Sequence, residues 1–212
     1  MTLAAEQVVV AGWAGQLEAV VEDTHALGDR EALHYAVLCH PHPLFGGTLD
    51  NKVVTTLARA LHDSGIPTVR FNFRGVGASE GVFDAGRGET DDARAVLDWG
   101  ASRWPNCKPV IAGFSFGAYV ALRLTQNVGV ARLITVAPPV SSFDFSGLRA
   151  PSCPWMVVQG DADDVVDPQK VLDWAKALQP QPRLMVMRGA GHFFHGRLHE
   201  LRKAVVDAIR EG

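Results

Sequence analysis

The chain has 212 residues, 47% of them apolar, and a formal net charge of −3. This length suits a single domain spanning 1–212, and the apolar share is enough for one sizeable core. The weak negative charge and the lack of any Lys/Arg run argue against a nucleic-acid or anionic-membrane surface, and against a polyanionic substrate. Cys39, Cys107 and Cys153 are odd in number and widely spaced, which argues against a disulfide framework and fits a reducing compartment. The first residues carry no basic segment followed by a long apolar run, and no stretch reaches the roughly 20 apolar residues that span a bilayer. A cytoplasmic location is the expectation.

The chain begins with two short strand patterns, 7–11 and 16–22, joined by Gly12-Trp13-Ala14-Gly15. Strand patterns then recur near 34–40, 67–73, 109–114, 131–137, 154–160 and 183–188. Helical patterns lie between or after them, near 51–64, 89–103, 116–127, 168–178 and 197–210. This alternation predicts an α/β fold, a mostly parallel sheet of about eight strands with helices on both faces. Trp99, Trp104 and Trp174 fall in or beside helical patterns and are expected to pack on the sheet.

Four stretches carry chemistry. After the first long strand comes His40-Pro41-His42-Pro43-Leu44-Phe45-Gly46-Gly47. Its two histidines could ligate a metal, but the intervening prolines stiffen the loop against that use. Next is Arg74-Gly75-Val76-Gly77-Ala78-Ser79, whose glycines could be read as a dinucleotide fingerprint. The third glycine is wrongly spaced for that, and Glu80, Asp84 and Glu89 would set negative charge near a pyrophosphate. Gly113-Phe114-Ser115-Phe116-Gly117 spells G-x-S-x-G between an apolar run and a helical pattern, the context of a nucleophile elbow. A serine in that place needs a histidine to take its proton and an acid to orient the histidine, and downstream of the elbow the acid precedes the base. Asp161, Asp163 and Asp164 follow one strand, and His192 follows the next, in that order. His192, His195 and His199 could instead form one helical metal face, but Gly189 and Gly191 favour a loop. The elbow also predicts the Phe116 N–H as one oxyanion donor.

From these motifs the chain resembles the α/β-hydrolases, over nearly its whole length. The strand ending in R-G-x-G-x-S and the base loop Gly189-Ala190-Gly191-His192 are similar to the family's. The acid loop of that family reads Gly-x-x-Asp, then one residue and two apolar ones. Counting from Gly160 implies Asp163 as the acid, with Asp164 the runner-up and Asp161 a turn former. Family members have proline directly after the two apolar residues, whereas this chain has Asp167 and then Pro168. Where many relatives have His-Gly after the first long strand, this chain has His-Pro twice, resembling small bacterial hydrolases with an H-P-H-P-x-x-G-G loop. Proline cannot donate, so the second oxyanion donor is His42 if His40 aligns with the family histidine, or Leu44 if His42 does. The 138–154 segment is too short for the helical cap common in lipid-acting relatives.

The resemblance implies a lidless serine hydrolase with Ser115, Asp163 and His192 as its triad and no cofactor or metal. The expected activity is cleavage of small to medium carboxylic esters. A thioesterase or other acyl hydrolase using the same triad is the alternative, and a non-catalytic binding protein on the same fold is a further one. The implied partner is a small-molecule ester or thioester, with no nucleic acid or membrane. An apolar wall is expected from Phe114, Phe116, Leu44 and Phe45, with Phe143 or Phe145 beside it. Nothing in the sequence sets the acyl length or the oligomeric state.

Overall fold

The computed structural model of the protein describes residues 5–23 and 33–211. Strands β1 (Ala5–Gly12) and β2 (Gly15–Glu22) form the expected hairpin. They are followed by β3 (His34–Cys39), β4 (Thr68–Phe71), β5 (Lys108–Phe114), β6 (Arg132–Val136), β7 (Trp155–Gly160) and β8 (Arg183–Met187). The sheet order is β1-β2-β4-β3-β5-β6-β7-β8. The β1–β2 and β2–β4 pairs are antiparallel, and every other pair is parallel. Helices α1 (Lys52–His62), α2 (Arg87–Arg103), α3 (Phe116–Thr125), α4 (Pro168–Ala177) and α5 (Leu198–Arg210) alternate with the parallel strands. This is the α/β-hydrolase arrangement.

Side-chain alternation divides the core into two layers. Along β3, Tyr35, Val37 and Cys39 join one buried cluster with residues of α2, α3 and α4. Ala36 and Leu38 point the other way, into a cluster with α1 and α5. The period of two thus places each parallel strand between two helical layers, which is why these strands read as continuous apolar runs. Trp104 stacks on Tyr35, Trp99 meets Trp104 edge-on, and Trp174 packs edge-on against Trp155 and Phe145, so all three serve the core.

Loop chemistry fixes the helix starts around the C-terminal edge of the sheet. Asn51 caps α1 by accepting the Val53 N–H, and Asp167 caps α4 by accepting from Gln169, with Pro168 in the first turn. The departure Asp167-Pro168 from the family pattern is therefore a helix cap followed by the proline that suits the next position. Between β6 and β7, residues 137–154 contain neither helix nor strand, and no cap domain covers the sheet there. No helix among the described residues is long and apolar enough to cross a membrane.

His40 ties the ends of β3 and β4 together. Its side chain is fully buried, and Nε2 accepts the Phe73 N–H at 3.0 Å. Nδ1 must then carry the proton, which it donates to the Pro41 carbonyl at 2.6 Å. Burial outweighs the opposing effect of the Pro41 bond and pushes the His40 pKa down to about 4. As pH falls, the unfolded chain takes up this proton first. The contribution of neutral His40 is therefore complete above about pH 6.5 and is lost progressively towards the folded value. Replacing His40 with Gln should flatten this dependence. In urea titrations at several pH values, wild type should lose roughly 3 kcal/mol more than the variant between pH 7 and pH 4. Parallel curves would mean that His40 takes up no proton on unfolding.

Candidate active site

The sharpest feature of the backbone lies where β5 meets α3. Ser115 has φ 52° and ψ −119°, a conformation that costs an L-residue about 1–3 kcal/mol. Its neighbours permit the turn only because they lack side chains. A Cβ on Gly113 would run into the Gly117 carbonyl, and one on Gly117 into the Cys39 carbonyl of β3. The Ser115 N–H donates to Val136 O at 2.8 Å, and its carbonyl accepts the Ala118 N–H at 2.8 Å. The hydroxyl thus stands at the C-terminal edge of the sheet, at the head of α3.

Asp163 and His192 reach it from the loops after β7 and β8. His192 Nδ1 lies 2.9 Å from Asp163 Oδ2, and Nε2 lies 3.2 Å from Ser115 Oγ. An ionised carboxylate only accepts, so Nδ1 carries the proton and Nε2 is free to accept from the serine hydroxyl. Asp163 Oδ1 also accepts the N–H groups of Val165 and Val166, at 2.9 and 2.8 Å. Burial favours the neutral acid, but the hydrogen bonds from His192, Val166 and Val165 together hold the carboxyl below its usual pKa.

The other acids stand apart from this line. Asp164 is exposed, while Asp161 Oδ1 accepts the Gly189 N–H at 2.6 Å. That bond, with Ala162 N–H to Ala190 O at 3.1 Å, fastens the acid loop to the base loop. The structure therefore brings Asp163, rather than its two neighbours, to His192. His192, His195 and His199 do not share a helix, because α5 starts only at Leu198. Among the described residues no group of three or more His, Cys, Asp or Glu could hold a metal ion.

The loop after β3 engages the N–H groups of His42 and Leu44 differently. The Leu44 N–H donates to the His42 ring at 3.2 Å, and its side chain is 67% exposed, outside the cleft. Phe45 and Gly47 donate to the His42 carbonyl, and Gly46 to Pro43 O. The N–H groups of His42 and Phe116 have no acceptor among the described residues, and both residues line the cleft that contains Ser115. Leu44 is thus not brought to the site as a donor, because its own turn engages its N–H.

The cleft has a volume of about 570 Å³, with Ser115 and His192 in its wall. His42, Phe45, Phe116, Phe143, Val165 and Phe193 give it an apolar and aromatic lining, and among the described residues no Asp, Glu, Lys or Arg lines it. The His42 ring lies 4.7, 5.1 and 5.9 Å from those of Phe45, Phe116 and Phe143. Leu44 and Phe114, both expected in the wall, are elsewhere, and of the alternatives Phe143 and Phe145 it is Phe143 that lines the cleft. Phe114 points into the α1–α5 layer, fully buried beneath the His192 ring, and Phe145 packs in the opposite layer on Tyr119 and Trp174. A second hollow, of about 520 Å³, opens at the other end of β6–β8 beside Cys153 and Arg183 and contains none of the candidate residues.

One residue of the site escaped the sequence reading. Gln159, fully buried on β7, donates Nε2–H to Asp163 Oδ2 at 3.1 Å. Its signal was a lone polar side chain at the end of the apolar run Trp155-Met156-Val157-Val158.

Comparison with known proteins agrees with this construction. Residues 22–150 match the model of the X-Pro dipeptidyl-peptidase (S15) family, more than half of the chain and including the elbow. A solved structure from Xanthomonas campestris, XC6422, described as an α/β serine hydrolase without a lid, superposes with a TM-score of 0.93 at 44% identity, covering 100% of this chain and 96% of that one. An α/β serine hydrolase homologue from Coxiella burnetii superposes with a TM-score of 0.91 at 45% identity, covering 98% of each chain. The Rickettsia prowazekii protein RP471 is 37% identical over 202 residues, 91% of this chain and 85% of its own. With more than half of its length matched to that family and the whole chain superposing on such a structure, the chain belongs to the S15 peptidase family and is an α/β serine hydrolase of the lidless type.

Proposed function

We propose that the protein is a serine esterase that cleaves small to medium, uncharged carboxylic esters. The observation that carries this reading is the open cleft at Ser115, apolar in its lining and without a charged side chain. A site that recognises an ionic substrate group needs a counter-ion, because a desolvated charge is otherwise costly. An X-Pro dipeptidyl-peptidase, the activity for which the matched family is named, acts on a peptide bearing an N-terminal ammonium. This cleft offers that ammonium no carboxylate, and it offers no cation to the anionic carrier of a thioester. Neutral esters meet neither obstacle.

The proposed chemistry follows from the hydrogen-bond line. Ser115 Oγ attacks the ester carbonyl carbon while His192 Nε2 takes its proton. Asp163 stays ionised, keeps the proton on Nδ1 and stabilises the imidazolium. The carbonyl oxygen, now an oxyanion, accepts from the Phe116 and His42 N–H groups, which need no reorganisation to receive it. His192 returns the proton to the departing alkoxide as the C–O bond breaks, leaving an acyl-enzyme. Water then attacks by the same steps in reverse order of roles, releasing the acid and restoring the hydroxyl. No step calls for a cofactor.

Ser115→Ala should lower turnover of a p-nitrophenyl ester by about 10³-fold or more with the fold retained, and should abolish fluorophosphonate labelling. Full activity in that variant would remove the assignment. Asp163→Asn should cost about 10³-fold or more, since it disturbs the His192 tautomer, whereas Asp164→Asn should stay within about twofold of wild type. The reverse order would move the acid role to Asp164. Across a p-nitrophenyl series, short and medium acyl chains should be preferred, X-Pro p-nitroanilides should not turn over, and the rate should rise smoothly through the micelle threshold. A sharp jump there would reveal a covering element that the open cleft does not suggest.

A further inference from the structure

Gln159 is an unusual residue for its place. It lies on β7, an interior parallel strand between β6 and β8, and has no exposed surface. Nε2 donates to Asp163 Oδ2 and to the Gly160 carbonyl, each at 3.1 Å, while Oε1 has no partner among the described residues. A flipped amide would set its oxygen against two acceptors, so the orientation is determined. Leaving a buried acceptor unpaired is unfavourable, and an apolar side chain of the same length would avoid it. The polar group therefore earns its place through its donors, and one donor goes to the oxygen that also receives His192 Nδ1–H.

The partition of bonds on Asp163 explains what that donor adds. Oδ1 is held by two backbone N–H groups, from Val165 and Val166, which fix one end of the carboxylate. The other end, Oδ2, has only His192 and Gln159. Resting on the triad proposed above, we infer that Gln159 is a positioning residue of the reaction: it anchors Asp163 Oδ2 so that the carboxylate stays in line with His192 Nδ1 between turnovers. Without it the carboxylate is pinned at Oδ1 alone, and His192 must hold its own partner in place. Gln159 does not line the cleft, so it bears on the chemical step and not on substrate contact.

Two substitutions test this. Gln159→Met keeps the length, removes the donor and also removes the unpaired acceptor. It should lower kcat for a p-nitrophenyl ester by about tenfold with KM within about twofold, and without loss of thermal stability. Gln159→Glu keeps the shape but sets a second carboxyl against Asp163. The charged groups at this position are then Asp163 and, when protonated, His192, with Asp161 at the loop surface. That variant should lower kcat and move the acidic limb of the kcat/KM profile to higher pH, by about half a unit or more. A purely structural role of Gln159 would show in Gln159→Met as lowered stability with kcat and the pH profile unchanged. The inference is overturned if either folded variant retains kcat within twofold and an unmoved pH profile while Ser115→Ala is inactive. An active Ser115→Ala would instead defeat the triad itself.

Discussion

Everything at this site depends on how closely the backbone of the elbow approaches its neighbours. Gly113 and Gly117 let the β5–α3 turn pack against itself and against the end of β3, where any Cβ would strike a carbonyl. The turn forces Ser115 into a strained conformation, which persists because the bonds to Val136 and Ala118 and the packing around it over-determine it. The result is a hydroxyl held at the sheet edge and an unengaged N–H on the next residue, Phe116, at the start of α3. A hydroxyl and an unengaged N–H beside it thus come from one turn. The loops after β3, β7 and β8 need only meet that fixed point.

Those loops meet it with one ionised side chain. The Asp163 carboxylate is buried and accepts hydrogen bonds on both oxygens, while the cleft in front of Ser115 carries no formal charge. Separating the charge from the binding surface has a physical consequence. Electrostatic interactions act strongly around the buried Asp163 and His192, where water is sparse, and an apolar wall takes up a neutral molecule without demanding a counter-ion. Val165 and Phe193 belong to both regions. Each follows a residue of the acid or base loop and lines the cleft, so the segments that orient the triad also shape the substrate surface.

Much of this was legible from periodicity and turn chemistry. The alternation of strand and helix patterns predicts the sheet, and Gly-x-Ser-x-Gly identifies the elbow because the steric demand of that turn is written in its glycines. The acid is harder, since three aspartates lie within four residues and periodicity does not separate them; the resemblance implies Asp163, and it is Asp163 that the structure sets against His192. Phe114 is expected in the wall from its nearness in sequence to Ser115, and Phe143 or Phe145 from the loop after β6, of which Phe143 lines the cleft. Strand alternation sends Phe114 to the opposite face, and Phe145 turns into the core, two outcomes set by tertiary packing. Gln159 was invisible for a different reason. A buried amide in an apolar strand has meaning only when the atom it bonds is known.

The His-Pro-His-Pro loop shows how a donor can be specified by elimination. Pro41 and Pro43 have no N–H to offer. A tight turn engages those of Leu44, Phe45, Gly46 and Gly47, with the His42 ring and carbonyl and Pro43 O as the acceptors. Between Pro41 and Gly47, among the described residues, His42 alone keeps an unengaged N–H. The two histidines support that outcome with opposite tautomers: His40 donates from Nδ1 to the Pro41 carbonyl, whereas His42 accepts at Nδ1 from Leu44. One fastens the peptide that carries the His42 N–H to the end of β4, and the other closes the turn that follows. In this chain the prolines restrict the backbone on both sides of His42, so its N–H is held in one orientation.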